Sequence, residues 1–290
     1  MGLRAKFNLL LLIVALVGLT LFFAASTPIL EGVAREEVLQ SSRIMMESAA
    51  GARKYTSEQI APLLKASMDQ TFHAQAVSAY AAKKNFEVLH SKFSDYAYRE
   101  AALNPTNPED KAVDWEADII DDFRAHPDKA EIIIQRDTPM GPLLELARPL
   151  VNKERCVSCH STPDAAPKSM IALYGAQNGF GWKLNDVIGA QIVSVPLKVP
   201  RERAARVRDL FLLTYAGIFL LLFVLLNLLL GTIVIGPIDK IARMAEAVSM
   251  GDTNVPEFEW KGSDQIARLA GSFNRMRRSL HEALRMLNEP

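Results

Sequence analysis

The sequence predicts an α+β domain held between two transmembrane helices and followed by an all-α coiled-coil segment. Three observations carry this: two long apolar runs at 9–25 and 210–235, β-branched stretches late in the segment between them, and heptad spacing after the second run. Of 290 residues 49% are hydrophobic, and the excess over an ordinary soluble domain lies in those two runs. Lys plus Arg and Asp plus Glu stand at 33 each, so no basic footprint points to nucleic acid.

Residues 1–8 form a cytoplasmic N-terminus, with Arg4 and Lys6 ahead of a first span at 9–26. That run is long enough to cross a hydrocarbon core as a helix, although Ala24, Ala25 and Ser26 would also suit a cleaved signal peptide. Both readings export the domain at 27–209. The second span, 210–235, holds no charged residue, and its polar Asn227 is expected to lie against a partner helix. Lys198, Arg201, Arg203, Arg206 and Arg208 precede it, against the positive-inside rule. A long segment translocates largely regardless of charge, so the first span sets the topology. Those cations are expected to snorkel to outer headgroups or pair across a dimer. The result is a two-pass inner-membrane protein with its middle domain in the periplasm.

Inside the exported domain, 31–50 has no proline and carries Val33, Val38, Ile44 and Met45 among charged residues, which predicts a stem helix. Thr56-Ser57-Glu58-Gln59 reads as a capping signal for a short helix through Leu64, and Asp114 as the cap of another over 115–123. Residues 104–108 form a loop. Strands follow at 131–136 and 144–151, antiparallel around Pro139-Met140-Gly141-Pro142, with a third at 188–195.

Cys156-Val157-Ser158-Cys159-His160 has the spacing of c-type haem attachment. Two thiols add across the two vinyl groups of a haem as thioethers, and a histidine directly after the second cysteine is held where its imidazole can ligate the iron. Haem c is therefore the expected cofactor, with Cys156 and Cys159 as tethers and His160 as the proximal iron ligand. The competing readings are a redox dithiol, which normally opens a helix in a βαβ setting, and half a zinc site, which lacks a second cysteine pair. With both sulfurs spent, the other face of the iron falls to His73, His90 or His126, or to Met45, Met46, Met68, Met140 or Met170. His73 is the favoured distal ligand because small and aromatic residues surround it, whereas His126 sits in a charged stretch. Phe180 and Trp182, in a glycine-rich stretch with Tyr174, Gly175, Gly179 and Gly181, read either as a haem pocket or as a core-forming loop.

Gly236-Pro237 is expected to end the second span. Ile238, Ile241, Ala245 and Val248 then recur at three-four-three spacing up to a break at Gly251-Asp252. After a connector with Val255, Pro256 and Phe258, a second seam runs through Ile266, Leu269, Phe273, Met276, Leu280, Ala283 and Leu287. Two such helices cannot bury their seams alone, which predicts a parallel homodimer through a four-helix bundle. His281-Glu282 lies off that seam, on a solvated face.

Residues 236–290 resemble a HAMP linker through Pro237, Gly251-Asp252 and Ser272-Phe273-Asn274-Arg275-Met276, departing at Asp264-Gln265 where such linkers carry Asp-Glu. The resemblance implies a two-state bundle that converts helix motion into altered packing. The stretch 34–199 resembles the c-type haem sensor domains with a PAS-like fold, first described in cyanobacteria as a domain of unknown function. The residues that carry it are Arg53-Lys54-Tyr55-Thr56, the run 98–108, Leu146-Ala147-Arg148-Pro149, 156–160 and Gly179-Phe180-Gly181-Trp182. That family implies iron ligation by His160, with a distal cysteine in some members that has no counterpart here.

The expected function is a membrane-bound haem sensor of redox state or a small gas. It would signal through the HAMP relay to a separate cytoplasmic or membrane output protein such as a kinase or cyclase, because the sequence stops at Pro290, soon after the second heptad helix. The alternative is a membrane-anchored monohaem c-type cytochrome for electron transfer, which leaves the heptad helices without a use. No catalytic residue is expected.

Overall fold

The computed structural model describes residues 2–139, 141–252 and 254–288, with the backbone alone at 287 and 288. Met140, one of the soft iron-ligand alternatives, and the side chain of Leu287 in the second seam lie outside the described residues. By their contacts the residues group into two units, 27–207 and 1–26 with 208–290.

The first apolar run and the stem are one helix, α1 (Leu3–Tyr55). In its later half Ala34, Val38, Leu39, Ser42, Met46 and Ala49 are buried at the i, i+3, i+4 spacing of one helix face, so one stripe faces the core. The expected cap at Thr56 does not form. Thr56 is buried and helical, and the chain runs from α1 into a π-turn (Thr56–Ile60) and α2 (Ala61–Leu64) with no side-chain cap. Tertiary burial overrides a local capping signal here.

Beyond α2 come α3 (Ser78–Lys92), β1 (Ala97–Ala102) and α4 (Asp114–Ala125). Then follow β2 (Ile132–Thr138), β3 (Gly141–Val151), α5 (Glu154–His160), α6 (Lys168–Tyr174) and β4 (Val187–Pro196). The four strands form one antiparallel sheet in the order β1-β4-β3-β2. The three predicted strands are present. Thr138 pairs with Gly141, so Gly141 and Pro142 belong to β3 instead of the turn. Asp114 is the first helical residue of α4 and not its cap; the buried Glu116 carboxylate reaches back to accept from the Val113 amide at 2.9 Å.

Alternation along the strands gives the sheet two apolar faces. Leu144, Leu146, Val193 and Val195 pack with Val38, Leu39 and Met46 of α1. Ala101, Ala147, Ala190 and Ile192 on the other face pack with Ile119, Ile120 and Phe123 of α4. The domain is thus a helix, a sheet and a helix in three layers, with β3 delivering the chain to α5 at one end.

α7 (Lys198–Leu229), whose residues from Arg208 on belong to the second unit, continues through a π-turn (Leu230–Ile235) into α8 (Gly236–Ser249). The expected end at Gly236-Pro237 is a change of helical pitch: Gly236 N–H bonds to Gly231 O, one residue further back than in an α-helix, directly before the proline that has no N–H to offer. α1 and the α7–α8 run are each long and apolar enough to cross a membrane, and the chain is a membrane protein. They meet where Tyr215 donates to Ala15 O at 3.3 Å and Phe22 lies 6.4 Å from Phe211. Asn227 accepts from Arg4 at 3.4 Å and donates to Phe223 O at 3.0 Å, so its amide is served within the chain.

α8 and α9 (Gln265–Asn288) close on their connector, and Ile241, Val248, Val255, Phe258, Ala270 and Phe273 form a small core. Asn274 clamps the connector by accepting from Phe258 N at 3.0 Å and donating to Phe258 O at 3.1 Å. Asp264 caps α9 by accepting from Ala267 N at 2.8 Å, and that bond, opposed by burial and helped by Trp260, holds its carboxyl below the usual range. A cap therefore forms despite the departure at Gln265. The heptad seam splits: Ile241, Val248 and Phe273 are buried within the chain, while Ile238, Leu269, Met276 and Leu280 remain exposed.

Phe123 is 1% exposed in the α4 layer. Phe123→Ala is expected to cost the domain about 3–5 kcal/mol, read as a lowered denaturation midpoint with unchanged slope. An unshifted midpoint would contradict this layering.

Candidate haem-attachment site

After β3, Asn152 fixes where the next helix starts. Its amide donates to Asp186 O at 2.8 Å, its carbonyl accepts from Asn185 N at 2.9 Å, and its side chain donates to Lys183 O at 2.8 Å. This buried residue pins the 183–186 loop beside the chain entering α5. α5 carries Cys156, Cys159 and His160. The cysteines sit three apart, so both sulfurs lie on one side of a single turn; both are free thiols and half-buried.

His160 is the best-fixed side chain of the motif. Its Nδ1 lies 2.8 Å from Gly179 O and 3.4 Å from Thr106 Oγ1, and its ring stacks on Trp182 at 4.2 Å with planes 18° apart. A carbonyl only accepts, so Nδ1 carries the proton and the lone pair resides on Nε2. Burial pushes the imidazole below its ordinary pKa against the opposing pull of the Gly179 carbonyl, which favours the neutral ring.

The stretch that holds His160 depends on backbone few residues adopt. Gly175, Gly179 and Gly181 have φ of 80, 82 and 79°, and Asn185 has 67°. A Cβ on Gly179 would strike Thr106, so the loop seats directly on the 104–108 loop. Asn104 fastens it by accepting from Gly179 N at 3.3 Å and donating to Phe180 O at 3.5 Å. Gly181 N and Trp182 N return to Ser161 O and His160 O at 3.0 and 3.3 Å. Trp182 thus stacks on the motif histidine, and Phe180 is half-buried and held through its backbone.

His73 is half-buried, with its Nε2 2.9 Å from Ser67 Oγ and its amide donating to Met68 Sδ at 3.3 Å. Its segment is anchored to the helix after the motif: Asp69 accepts from Lys168 N at 3.0 Å, Ser169 donates to Met68 O, and Phe72 meets Tyr174 edge-on at 5.6 Å. His90 and His126 are exposed and paired locally, with Tyr96 O at 3.0 Å and Asp122 Oδ1 at 2.7 Å. Met46 is core and Met170 is buried in α6.

A charged group stands at the end of α1. Arg53, at the end of α1, forms an ion pair with Glu100 of β1, with side-chain exposures of 22% and 10%. Tyr98 donates to Glu100 at 2.6 Å and receives Gln191 Nε2 at 2.6 Å. Burial works against the guanidinium's charge, yet Glu100, Tyr98 and Cys156 together hold its pKa above the ordinary value. Asn152 and this ion pair escaped the sequence reading, because their partners are distant in sequence and asparagine and arginine are common.

Residues 31–196 match the family model described as Tll0287-like. The chain belongs to the Tll0287-like family. The match includes the sheet, both of its helical layers, α5 and the 175–186 loop, and residues 229–282 match the HAMP domain model. Among solved structures, the cyanobacterial heme-protein Tll0287 aligns over 55% of this chain and 95% of its own at 15% identity, with a TM-score of 0.44. No curated protein matches the chain.

Gly179→Ala adds both the clash with Thr106 and a strained φ, whereas Gly181→Ala adds strain alone. With Trp115 and Trp260 replaced by Phe, the fluorescence of Trp182 is expected to shift to the red in Gly179→Ala and much less in Gly181→Ala. Equal spectra in the two variants would mean that the seat on Thr106 does not hold the loop.

Proposed function

We propose that the protein is a membrane-bound haem sensor, with a haem c held by thioether bonds to Cys156 and Cys159 and by His160 Nε2 on the iron. The observation that carries this reading is the Gly179 carbonyl bound to His160 Nδ1, which leaves Nε2 as the donor nitrogen. The donor set suits the group: two free thiols on one helical turn, a neutral imidazole directly after them, and an aromatic ring stacked on that imidazole. Membership in a family with a heme-protein relative adds support. When bound, the haem supplies a one-electron couple or an iron site for a small gas.

The chain's residues have distinct tasks in this reading. Trp182 and Gly179 orient the proximal ring, and Phe180 borders the pocket. His73 is the distal ligand, exchanging its Ser67 hydrogen bond for the iron. The domain at 27–209 lies in the periplasm, with spans at 9–26 and 210–235, residues 1–8 and the HAMP segment 236–290 in the cytoplasm, all in the inner membrane. The exposed half-seam of Ile238, Leu269, Met276 and Leu280 supports a parallel homodimer. Its change of packing passes to an output protein such as a kinase or cyclase. The HAMP match favours sensing over electron transfer, since a carrier gives the two heptad helices nothing to do.

Oxidised and reduced absorption spectra, with and without carbon monoxide, test the site. The native protein is expected to resist carbon monoxide and His73→Ala to bind it readily; identical behaviour would remove His73 from the iron. Phe273→Asp, in the HAMP core, is expected to leave those spectra unchanged and abolish the response of the output protein. A retained response would remove the relay.

A further inference from the structure

Within the unit 27–207, the later half of α1 and the first turns of α7 flank a cleft of about 130 Å³, walled also by the turn before β1 and the end of β4. Its lining is mixed. Val38, Val195 and Val199, with Pro196 and Pro200, are apolar, whereas Glu37, Asp95 and Arg203 bring charge of both signs. Ser41 adds a hydroxyl, which donates to Glu37 O at 3.0 Å. The fold makes little use of these charges. Arg203 reaches Glu37 only at 4.0 Å, with side chains 65% and 58% exposed, and a pair so open to water contributes little stability. Asp95 has the Ser94 hydroxyl at 3.5 Å and, among the described residues, no cation within pairing distance.

Volume and charge together narrow what the cleft can take. At roughly 30 Å³ of liquid per water it has room for about four waters, far less than a drug-sized ligand needs. A small anion there faces two carboxylates, and a small cation faces the guanidinium. A molecule with both charges answers both. We propose that this cleft binds a small zwitterionic amino acid, with its carboxylate on Arg203, its ammonium on Glu37 and Asp95, and a short side chain against Val38, Val195 and Val199. Charge-assisted hydrogen bonds supply the recognition, with the planar guanidinium suited to a carboxylate. Bound there, the molecule bridges Glu37 of α1 and Arg203 of α7, the two helices that carry the long apolar runs. None of these residues belongs to the attachment motif or to the loops that hold it, so the site stands apart from the haem reading.

The test is calorimetric titration of the full-length protein in detergent with glycine, L-alanine, L-serine and L-proline, and with propylamine and propionate as analogues that carry one charge each. At least one of the amino acids is expected to bind saturably, and both analogues to bind about tenfold more weakly or worse. Arg203→Gln and Asp95→Asn are each expected to weaken the amino acid by about tenfold. Asp95 is exposed and lies in a turn, so Asp95→Asn decides the matter even if the helix variant unfolds. Glu36→Gln and Arg206→Gln, which alter exposed charges on the same two helices outside the cleft, are expected to bind as the native protein does. No saturable binding of any of the four amino acids at millimolar concentration overturns the proposal. So does equal binding of either analogue, native affinity in Asp95→Asn, or an equal loss in Glu36→Gln and Arg206→Gln.

Discussion

One hydrogen bond organises the candidate site, that from His160 Nδ1 to the Gly179 carbonyl at 2.8 Å. It selects which ring nitrogen keeps a lone pair, fixes the ring plane against Trp182, and ties α5 to a loop that only glycines allow to turn. The rest of the domain can be understood as support for that bond. Asn152 holds the start of α5 to the 183–186 loop, Asn104 and Thr106 hold the 179–182 stretch from beneath, and the sheet presents both loops on the same side. A five-residue motif thereby becomes a placed donor set.

The second organising feature is the length of α1. One continuous helix supplies a run long and apolar enough to cross a membrane, covers a face of the sheet with Val38, Leu39 and Met46, and in its last turn pairs Arg53 with Glu100 of β1. Arg148 of β3, three residues before Val151, pairs with Glu47 of the same helix at 2.6 Å and adds a second tie. Both ion pairs join α1 to strands of the sheet, beside the apolar stripe that seats the helix. The HAMP segment, with one half-seam closed on its connector and the other exposed, has packing that a helix displacement can redistribute.

What was legible in the sequence was what is local. The two long apolar helices show as uncharged runs, the candidate motif as five adjacent residues, and β2, β3 and β4 as β-branched stretches between turn residues. β1 was missed because Ala-Tyr-Arg-Glu-Ala-Ala has weak strand propensity; it is an edge strand held by pairing with β4. The seven-residue helices α5 and α6 were also missed, being too brief for a 3.6-residue period to stand out, and so was α3, which buries only Ala82 and Phe86 and shows little apolar periodicity. The cap expected at Thr56 was a true local signal overruled by burial, and the π-turn before Pro237 has no sequence signature beyond the proline that it accommodates. The bonds that make the site, His160 to Gly179 and Gly179 to Asn104, join residues apart in the chain and become visible only in the fold.

The central claim is that a porphyrin is carried by the sulfurs of Cys156 and Cys159. Intact-mass measurement of protein made in a host that matures c-type cytochromes addresses it directly. A denatured polypeptide heavier by one haem, with the increment lost when both cysteines are replaced by serine, is the outcome this account requires. A native chain at its bare polypeptide mass would contradict it.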